Sequence, residues 1–202
     1  MPYKLTYTTD EINTIKESIN IGHQSWSHDN LKSIKDKIKD FNIIKTSHRC
    51  CYCGISIHAA HRMTIDIEHI LPKAKLNFVH YMFSTKNLSV ACKRCNMRIK
   101  GQRIDFLTND FNRNHIFRSN YYKFIHPHLD NYDAHLFLLV NQAGREMIFK
   151  YLKFSEKGQY TYDYFKLEEI ELNSFDLAQG GKKRNFIKNP EINNLYQQLA
   201  TN

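Results

Sequence analysis

Residues 50–54 read Cys-Cys-Tyr-Cys-Gly, and residues 92–95 read Cys-Lys-Arg-Cys. Together these stretches hold all five cysteines of the 202-residue chain. A two-residue gap turns both sulfurs of a pair toward one point, and two such pairs complete a tetrahedron around Zn²⁺. Gly54 suits the tight turn after the first pair, and Cys51 stays outside as a free thiol. The predicted structural zinc ligands are Cys50, Cys53, Cys92 and Cys95.

Disulfide bonding and redox chemistry are the alternatives to zinc binding by these cysteines. Two disulfides would require an oxidising compartment, of which the sequence gives no sign. Thioredoxin-like redox chemistry needs one Cys-x2-Cys pair rather than two. A site closed by four thiolates leaves no open position on the metal, so any catalytic chemistry is expected between or beside the cysteine pairs.

The positive charge of the chain is concentrated in its middle third. Residues 1–48 carry 7 basic and 6 acidic side chains, residues 49–118 carry 12 and 4, and residues 119–202 carry 10 and 10. A local excess of this kind attracts polyanions, and nucleic acid is the commonest such partner. A solvated basic face without a partner is the plainer alternative.

The same three segments predict an α+β protein. In residues 1–48, Thr8 and Glu11 form a capping-box pattern, and two amphipathic helices follow, with Leu31 and Ile34 on the apolar face of the second. These helices are predicted to be structural, without chemistry of their own. Residues 49–118 form the cysteine-rich core.

Residues 119–202 are expected to form a C-terminal lobe with antiparallel strands and helices. An apolar run at 135–140, a turn at 142–144 and a second apolar run at 147–152 are typical of a hairpin. A further turn at 156–158 is predicted to lead into the aromatic stretch 160–165. Two helices would close the chain, the last beginning at Pro190.

Between and after the cysteine pairs lie Glu68-His69, Asn87-Leu88, and Asn96 with Lys100. In this order, bracketed by two Cys-x2-Cys pairs, they resemble the HNH endonucleases of the ββα-metal class, in the subset that contains a four-cysteine zinc site. The resemblance covers about residues 49–103. It departs from the family at its last motif position, where Asn96 replaces the final histidine.

The resemblance implies hydrolysis of DNA phosphodiester bonds with a divalent ion. His69 suits the general base, because a neutral imidazole is available near neutral pH. Glu68 and Asn96 would offer oxygen ligands to Mg²⁺ or Mn²⁺, and Asp66, on the strand face of Glu68, is the second choice. The resemblance assigns Asn87 to orienting the loop and His69. Backbone phosphates would be contacted by Lys73, Arg94, Arg98, Lys100 and Arg103.

Each of these residues also has a structural interpretation. His69 could be a packed strand histidine, Glu68 a surface ion-pair partner, Asn87 a loop cap, and the basic residues of 93–103 a solvated face. A metal site at His126 and His128 is less favoured than a turn around Pro127.

The biological setting is predicted from a weaker likeness. The stretch from Glu171-Leu172-Asn173-Ser174 to Lys183-Arg184 is similar to the ending of HNH nucleases from Septu-type and retron-associated antiphage defence systems. That similarity implies an ATPase partner, since the chain has no Gly-x4-Gly-Lys-Ser/Thr loop for nucleotide binding. With no apolar signal core and no membrane span, a cytoplasmic protein is expected. The alternatives are a zinc-stabilised nucleic-acid-binding module without hydrolysis and an interaction subunit with an inactive nuclease fold.

Overall fold

The computed structural model describes residues 4–58, 60–143 and 146–173, together with residues 190, 194 and 198. Helices and strands both occur, which confirms the predicted α+β class. The chain divides into two compact units, Met1–Asp130 and Asn131–Asn202. The division into 1–48, 49–118 and 119–202 stays a prediction.

The first unit begins with the two predicted helices. Helix α1 spans Thr9–Ile21, and its N-terminus carries the predicted capping box, in which Thr8 and Glu11 each accept a backbone N–H of the other. Helix α2 spans Lys32–Lys45 and buries Ile34, Ile38 and Phe41 on one face. Burial of that apolar stripe is what fixes α2 against its neighbours.

Two antiparallel strands and a helical segment follow α2. Strand β1 spans Ile65–His69 and strand β2 spans Leu88–Cys92, with Ile65 opposite Cys92 and His69 opposite Leu88. A π-helical segment, Arg94–Lys100, follows β2 at once and ends at Gly101, whose φ of 51° is in the left-handed region. A glycine ends this segment because it adopts the left-handed conformation without steric cost.

The core of the first unit joins these elements. Side chains of α2 and the residue before it, of the loop between the strands and of β2 form one apolar cluster: Leu31, Ile34, Ile38, Met82, Phe83 and Leu88. Trp26, just before α2, packs against the same cluster. The cluster therefore holds α2 against the strand pair.

The second unit contains the predicted hairpin. Strand β3 spans Leu136–Ala143 and pairs antiparallel with β4, Glu146–Lys153. The last position of the predicted turn, residue 144, lies outside the described residues.

Residues 156–164 correct the sequence-based expectation of a turn and an aromatic stretch. They form helix α3, Glu156–Tyr164, whose N-cap Ser155 accepts the N–H of Gly158 at 3.0 Å. Gly158 sits inside the helix because a Cβ there would lie 2.0 Å from the carbonyl oxygen of His135. The glycine thus reflects close packing in a helix rather than a turn.

Helix α4, Glu168–Asn173, follows. The helix predicted from Pro190 and most of the 171–184 stretch lie outside the described residues. Short 3-10 segments connect the elements: His23–Ser27, Asp29–Leu31, Arg62–Thr64, Phe78–Tyr81, Arg113–His115, Ser119–Tyr121 and Tyr132–Ala134. No helix within the described residues is long and apolar enough to span a bilayer.

Candidate functional site

The four predicted zinc ligands converge on one point. Their sulfur atoms all lie within 4.8 Å of one another, and Cys53 Sγ is 4.0 Å from Cys92 Sγ. Tetrahedral zinc with bonds of about 2.3 Å places its sulfurs about 3.8 Å apart. None of the five cysteines is joined in a disulfide in this structure. The cluster could hold a metal ion such as zinc; its members are Cys50, Cys53, Cys92 and Cys95.

Hydrogen bonds within the cluster separate the pKa values of its thiols. Hydrogen bonding with Cys50 lowers the pKa of Cys92 and raises the pKa values of Cys53 and Cys95. Four adjacent sulfurs cannot all ionise unless a cation balances their charge. Cys51 lies outside the cluster, as predicted, and burial raises the pKa of its thiol well above the ordinary value.

A cleft of about 770 Å³ lies in the first unit, and Lys93 and Asn96, which directly follow Cys92 and Cys95 in the sequence, line it. It is lined by residues of α2, of β1 and of the π-helical segment. Four of the polar residues singled out in the sequence meet there: Asp66, Glu68, His69 and Asn96. The structure thus brings together the predicted base and the predicted oxygen ligands.

His69 is held at the end of β1 with only 8% of its surface exposed. Its Nε2 lies 3.1 Å from the carbonyl oxygen of Met82. Because a carbonyl can only accept, Nε2 carries the proton and Nδ1 keeps the lone pair. Burial, with the nearby charge of Lys73, lowers the pKa of His69 well below its ordinary value, so the ring is neutral at neutral pH. The edge of Trp26 packs on this ring, with centroids 4.5 Å apart.

Glu68 is fully buried and is held through one oxygen. Its Oε1 accepts the hydroxyl of Tyr52 at 2.9 Å and pairs with the Lys100 ammonium at 2.6 Å. Burial raises the pKa of Glu68, and Lys100 opposes that rise. Within the part of the chain that the structure describes, no hydrogen-bond donor reaches the buried Oε2. An unsatisfied buried carboxylate oxygen is costly, and a cation would satisfy it.

The placement of Lys100 contradicts its predicted role as a phosphate contact. The side chain is 1% exposed, and besides Glu68 its ammonium donates to the carbonyl oxygen of His69 at 2.8 Å. A buried carboxylate requires a compensating charge, and the ammonium of Lys100 is used for this purpose. Lys100 therefore does not belong to the exposed basic surface.

Asn96 and Asp66 contact each other in the cleft. The Nδ2 of Asn96 donates to Oδ2 of Asp66 at 3.0 Å, and Oδ1 of Asp66 pairs with the Lys93 ammonium, also at 3.0 Å. The amide oxygen of Asn96 is thereby left for another ligand. Asp66 is occupied by two donors, which makes it a poorer metal ligand than Glu68.

Asn87 does not line the cleft but organises the loop between β1 and β2. Its Oδ1 accepts the N–H of Leu71 at 2.7 Å, and its Nδ2 donates to the carbonyl oxygens of Leu71 and Tyr81, both at 3.1 Å. Met82, whose carbonyl fixes His69, follows Tyr81 directly. The side chain is completely buried, so a reacting group cannot reach it.

The remaining predicted phosphate contacts have different environments. Lys73 lines the cleft, with its ammonium 5.7 Å from the ring centroid of Trp26. Arg94, Arg98 and Arg103 are not among the residues that line it, and Arg103 pairs with Asp105. Their contact with phosphates stays a prediction.

Helix α2 lines the cleft, although the sequence analysis assigned it no chemistry. Its Lys32, Lys35 and Lys39 face the cleft, as does Trp26 before the helix. The sequence does show that these three lysines form a row, since positions 32, 35 and 39 share one helical face. The sequence does not show that this face borders the cleft, because tertiary packing decides which surface it meets.

The histidines outside the cleft behave as structural residues. The N–H of His126 donates to Asp130 at 2.6 Å, the N–H of His128 donates to His126 Nδ1 at 3.1 Å, and His128 Nε2 lies 2.6 Å from the carbonyl oxygen of Leu88. These contacts form the turn that the sequence analysis favoured. Within the described residues, the four cysteines are the one group of histidine, cysteine and acidic side chains placed to hold a metal.

Comparison with known proteins gives no family assignment. No protein-family model matches the chain, and no curated protein and no solved structure matches it either. The interpretation of the cleft therefore depends on its own geometry and on the sequence motifs.

Proposed function

We propose that this protein is a metal-dependent endonuclease of the HNH type that hydrolyses DNA phosphodiester bonds. The observation that carries the proposal is the convergence of a neutral, oriented imidazole and a buried carboxylate in one lysine-lined cleft. These are His69 and Glu68, with Asn96 beside them. The order of two antiparallel strands and a helical segment around the cysteine cluster supports the same family.

His69 is the general base in this proposal. Its Nδ1 would take a proton from the attacking water, while the bond from Nε2 to Met82 holds the ring in one tautomer. Asn87 acts at a distance, because it fixes the loop that carries the Met82 carbonyl.

Glu68 and Asn96 would hold Mg²⁺ or Mn²⁺ through Glu68 Oε2 and Asn96 Oδ1. Both are hard oxygen donors, which these ions prefer, and Oε2 lacks a donor within the described residues. When bound, the ion supplies positive charge to the scissile phosphate and the leaving oxygen. The four cysteines would hold a separate, structural Zn²⁺.

Plasmid cleavage tests this function. We expect the purified protein to nick or linearise supercoiled plasmid with Mg²⁺ or Mn²⁺ and to lose this activity in EDTA. His69→Ala should slow cleavage by about 10²–10⁴-fold, the usual contribution of a general base, with DNA binding and the metal content of the cysteine cluster retained. The matched control is His58→Ala, at a histidine outside the cleft, which should cleave normally.

Two results would reject the assignment. Metal-dependent cleavage that persists in His69→Ala would remove His69 as the base. DNA binding without cleavage under any divalent ion, alone or with its partner, would instead favour the nucleic-acid-binding module that does not hydrolyse.

We further propose that the nuclease acts in the cytoplasm, as the effector of a bacterial antiphage defence system with an ATPase partner. This rests on the likeness of residues 171–184 to Septu-type and retron-associated nucleases. Affinity purification from the native host should recover the ATPase with the nuclease. Recovery of the nuclease alone would count against the partner but not against the cleavage chemistry.

A further inference from the structure

Three lysines of α2 form one wall of the cleft. Lys32, Lys35 and Lys39 are spaced three and four residues apart, so they share a face of the helix, and all three line the cleft. The opposite face of α2 is buried through Ile34 and Ile38, each at most 1% exposed. The buried face fixes the direction in which the lysines point.

The acidic residues of α2 form ion pairs outside this row, although Asp36 lines the same cleft. Arg62 pairs with both Asp36 and Asp40. Glu11 is occupied by Lys37, which is not in the row. No carboxylate within the described residues pairs with Lys32, Lys35 or Lys39.

The contacts that these lysines do make leave hydrogen-bond donors for a ligand. Lys35 donates to the carbonyl oxygen of Trp26 at 3.1 Å, and Lys39 to that of Arg62 at 3.2 Å. An ammonium has three donors, so each keeps at least one for an anion. Burial, with the charge of Arg62, lowers the pKa of Lys39, and burial lowers that of Lys73 on the strand side of the cleft. An anion between these groups would relieve both effects.

We infer that α2 is a substrate-binding wall, on which Lys32, Lys35 and Lys39 bind successive backbone phosphates of the strand that is cleaved at His69. The inference rests on the proposed function. Lys32 and Lys39 lie about 10 Å apart along the helix axis, and three phosphate-to-phosphate intervals of roughly 3.4 Å along one strand of B-DNA cover the same length. Contacts of this kind add affinity without sequence preference.

The test compares the salt dependence of binding in full-length protein. Anisotropy of a labelled DNA duplex is measured across a KCl series in the His69→Ala background, which prevents cleavage. The variant Lys32→Gln/Lys35→Gln/Lys39→Gln should lower the slope of log K against log salt by about 2.7, since each lost phosphate contact removes about 0.9. The control, Lys16→Gln/Lys86→Gln/Lys123→Gln, removes the same charge outside the cleft and should keep the slope.

Cleavage kinetics with His69 present give a second readout. The α2 variant should raise KM by about tenfold or more with kcat nearly unchanged, because the lysines bind the substrate and the transition state equally. Equal slopes for the α2 variant and the control would overturn the inference, as would a wild-type protein that does not bind the duplex. Salt-dependent binding that α2 controls, without cleavage, would support the α2 wall and reject the proposed nuclease.

Discussion

The ion pair of Glu68 and Lys100 is buried on both sides. Each side chain is 1% exposed, and the ammonium lies 2.6 Å from the carboxylate. Lys100 also bonds the backbone of His69, so one ammonium orients both residues of the Glu68-His69 motif. A charge in such a place is tolerated only while its partner is present.

Loss of this partner should be strongly destabilising. We expect Lys100→Met to lower the free energy of unfolding by about 3–5 kcal/mol, because it leaves the Glu68 charge buried and unpaired. Adding Glu68→Gln should restore part of that loss. Lys93→Met, at the half-exposed pair with Asp66, should cost about 1 kcal/mol or less. Urea unfolding measures the free energy of unfolding of all three variants. Equal losses in Lys100→Met and Lys93→Met would contradict the assignment of Glu68 and Lys100 as a buried ion pair.

His128 makes stability depend on pH. Burial lowers the pKa of His128 to about 4, against 6.5 in the unfolded chain. Between these values the unfolded chain binds a proton that the folded protein does not, so stability is complete above about pH 6.5 and falls as the pH drops toward 4. His128→Gln should flatten this fall in urea unfolding across that window. The control His23→Gln, at an exposed histidine, should leave the fall unchanged. An unchanged pH profile in His128→Gln would exclude His128 as the source of the pH dependence.

The cysteine cluster acts at the level of elements. The N–H of Cys51, between the two cysteines of the first pair, donates to the carbonyl oxygen of Val90 in β2 at 3.0 Å. Cys92 ends β2, and Cys95 lies in the π-helical segment directly before Asn96. A metal bound there would tie the first cysteine pair to β2 and to the π-helical segment, which carries Asn96. Strand β1, which carries Glu68, is held to β2 by strand pairing.

Cysteine substitutions test which cysteines bind the metal. Cys53→Ser should lose most of its bound metal, measured by mass spectrometry, and unfold at a lower temperature, because structural zinc contributes on the order of 10 kcal/mol to folding. Cys51→Ser is the matched control and should keep its metal, since Cys51 lies outside the cluster. Metal loss in both variants, or in neither, would contradict the ligand assignment.

The elements differ in how far sequence patterns could predict them. Helices α1 and α2 follow from a capping box and from apolar spacing, which are local signals. Helix α3 was missed because Gly158 is typical of turns. A glycine stands at this position because the carbonyl oxygen of His135, 23 positions earlier in the chain, leaves no room for a side chain. Such long-range packing leaves no local pattern.

At the scale of the molecule, the four-cysteine cluster and the cleft both belong to the first unit, Met1–Asp130. Its last segment completes the core, with Tyr122 and Phe124 at most 1% exposed. The hydroxyl of Tyr122 donates to the carbonyl oxygen of Ile116 at 2.9 Å. The sequence-based boundary at residue 118 would remove this segment.

Truncation distinguishes the two boundaries. A chain that ends at residue 130 should fold cooperatively, retain the metal of the cysteine cluster and bind the DNA duplex. A chain that ends at residue 118 should lose cooperative unfolding, because each buried aromatic it lacks contributes roughly 3–5 kcal/mol. Thermal unfolding and metal content provide the comparison. Equal stability of the two fragments would favour the boundary at 118.

The metal cluster, the first two helices and the order of the Glu68-His69 and Asn96 motifs were determined by the sequence, since each depends on spacing along a short stretch of chain. The tertiary structure alone decided that Lys100 is buried against Glu68 and that the lysines of α2 face the cleft. The physical reason is that a helical repeat shows which face is apolar, whereas the partner of each polar side chain is set by packing between segments far apart in sequence.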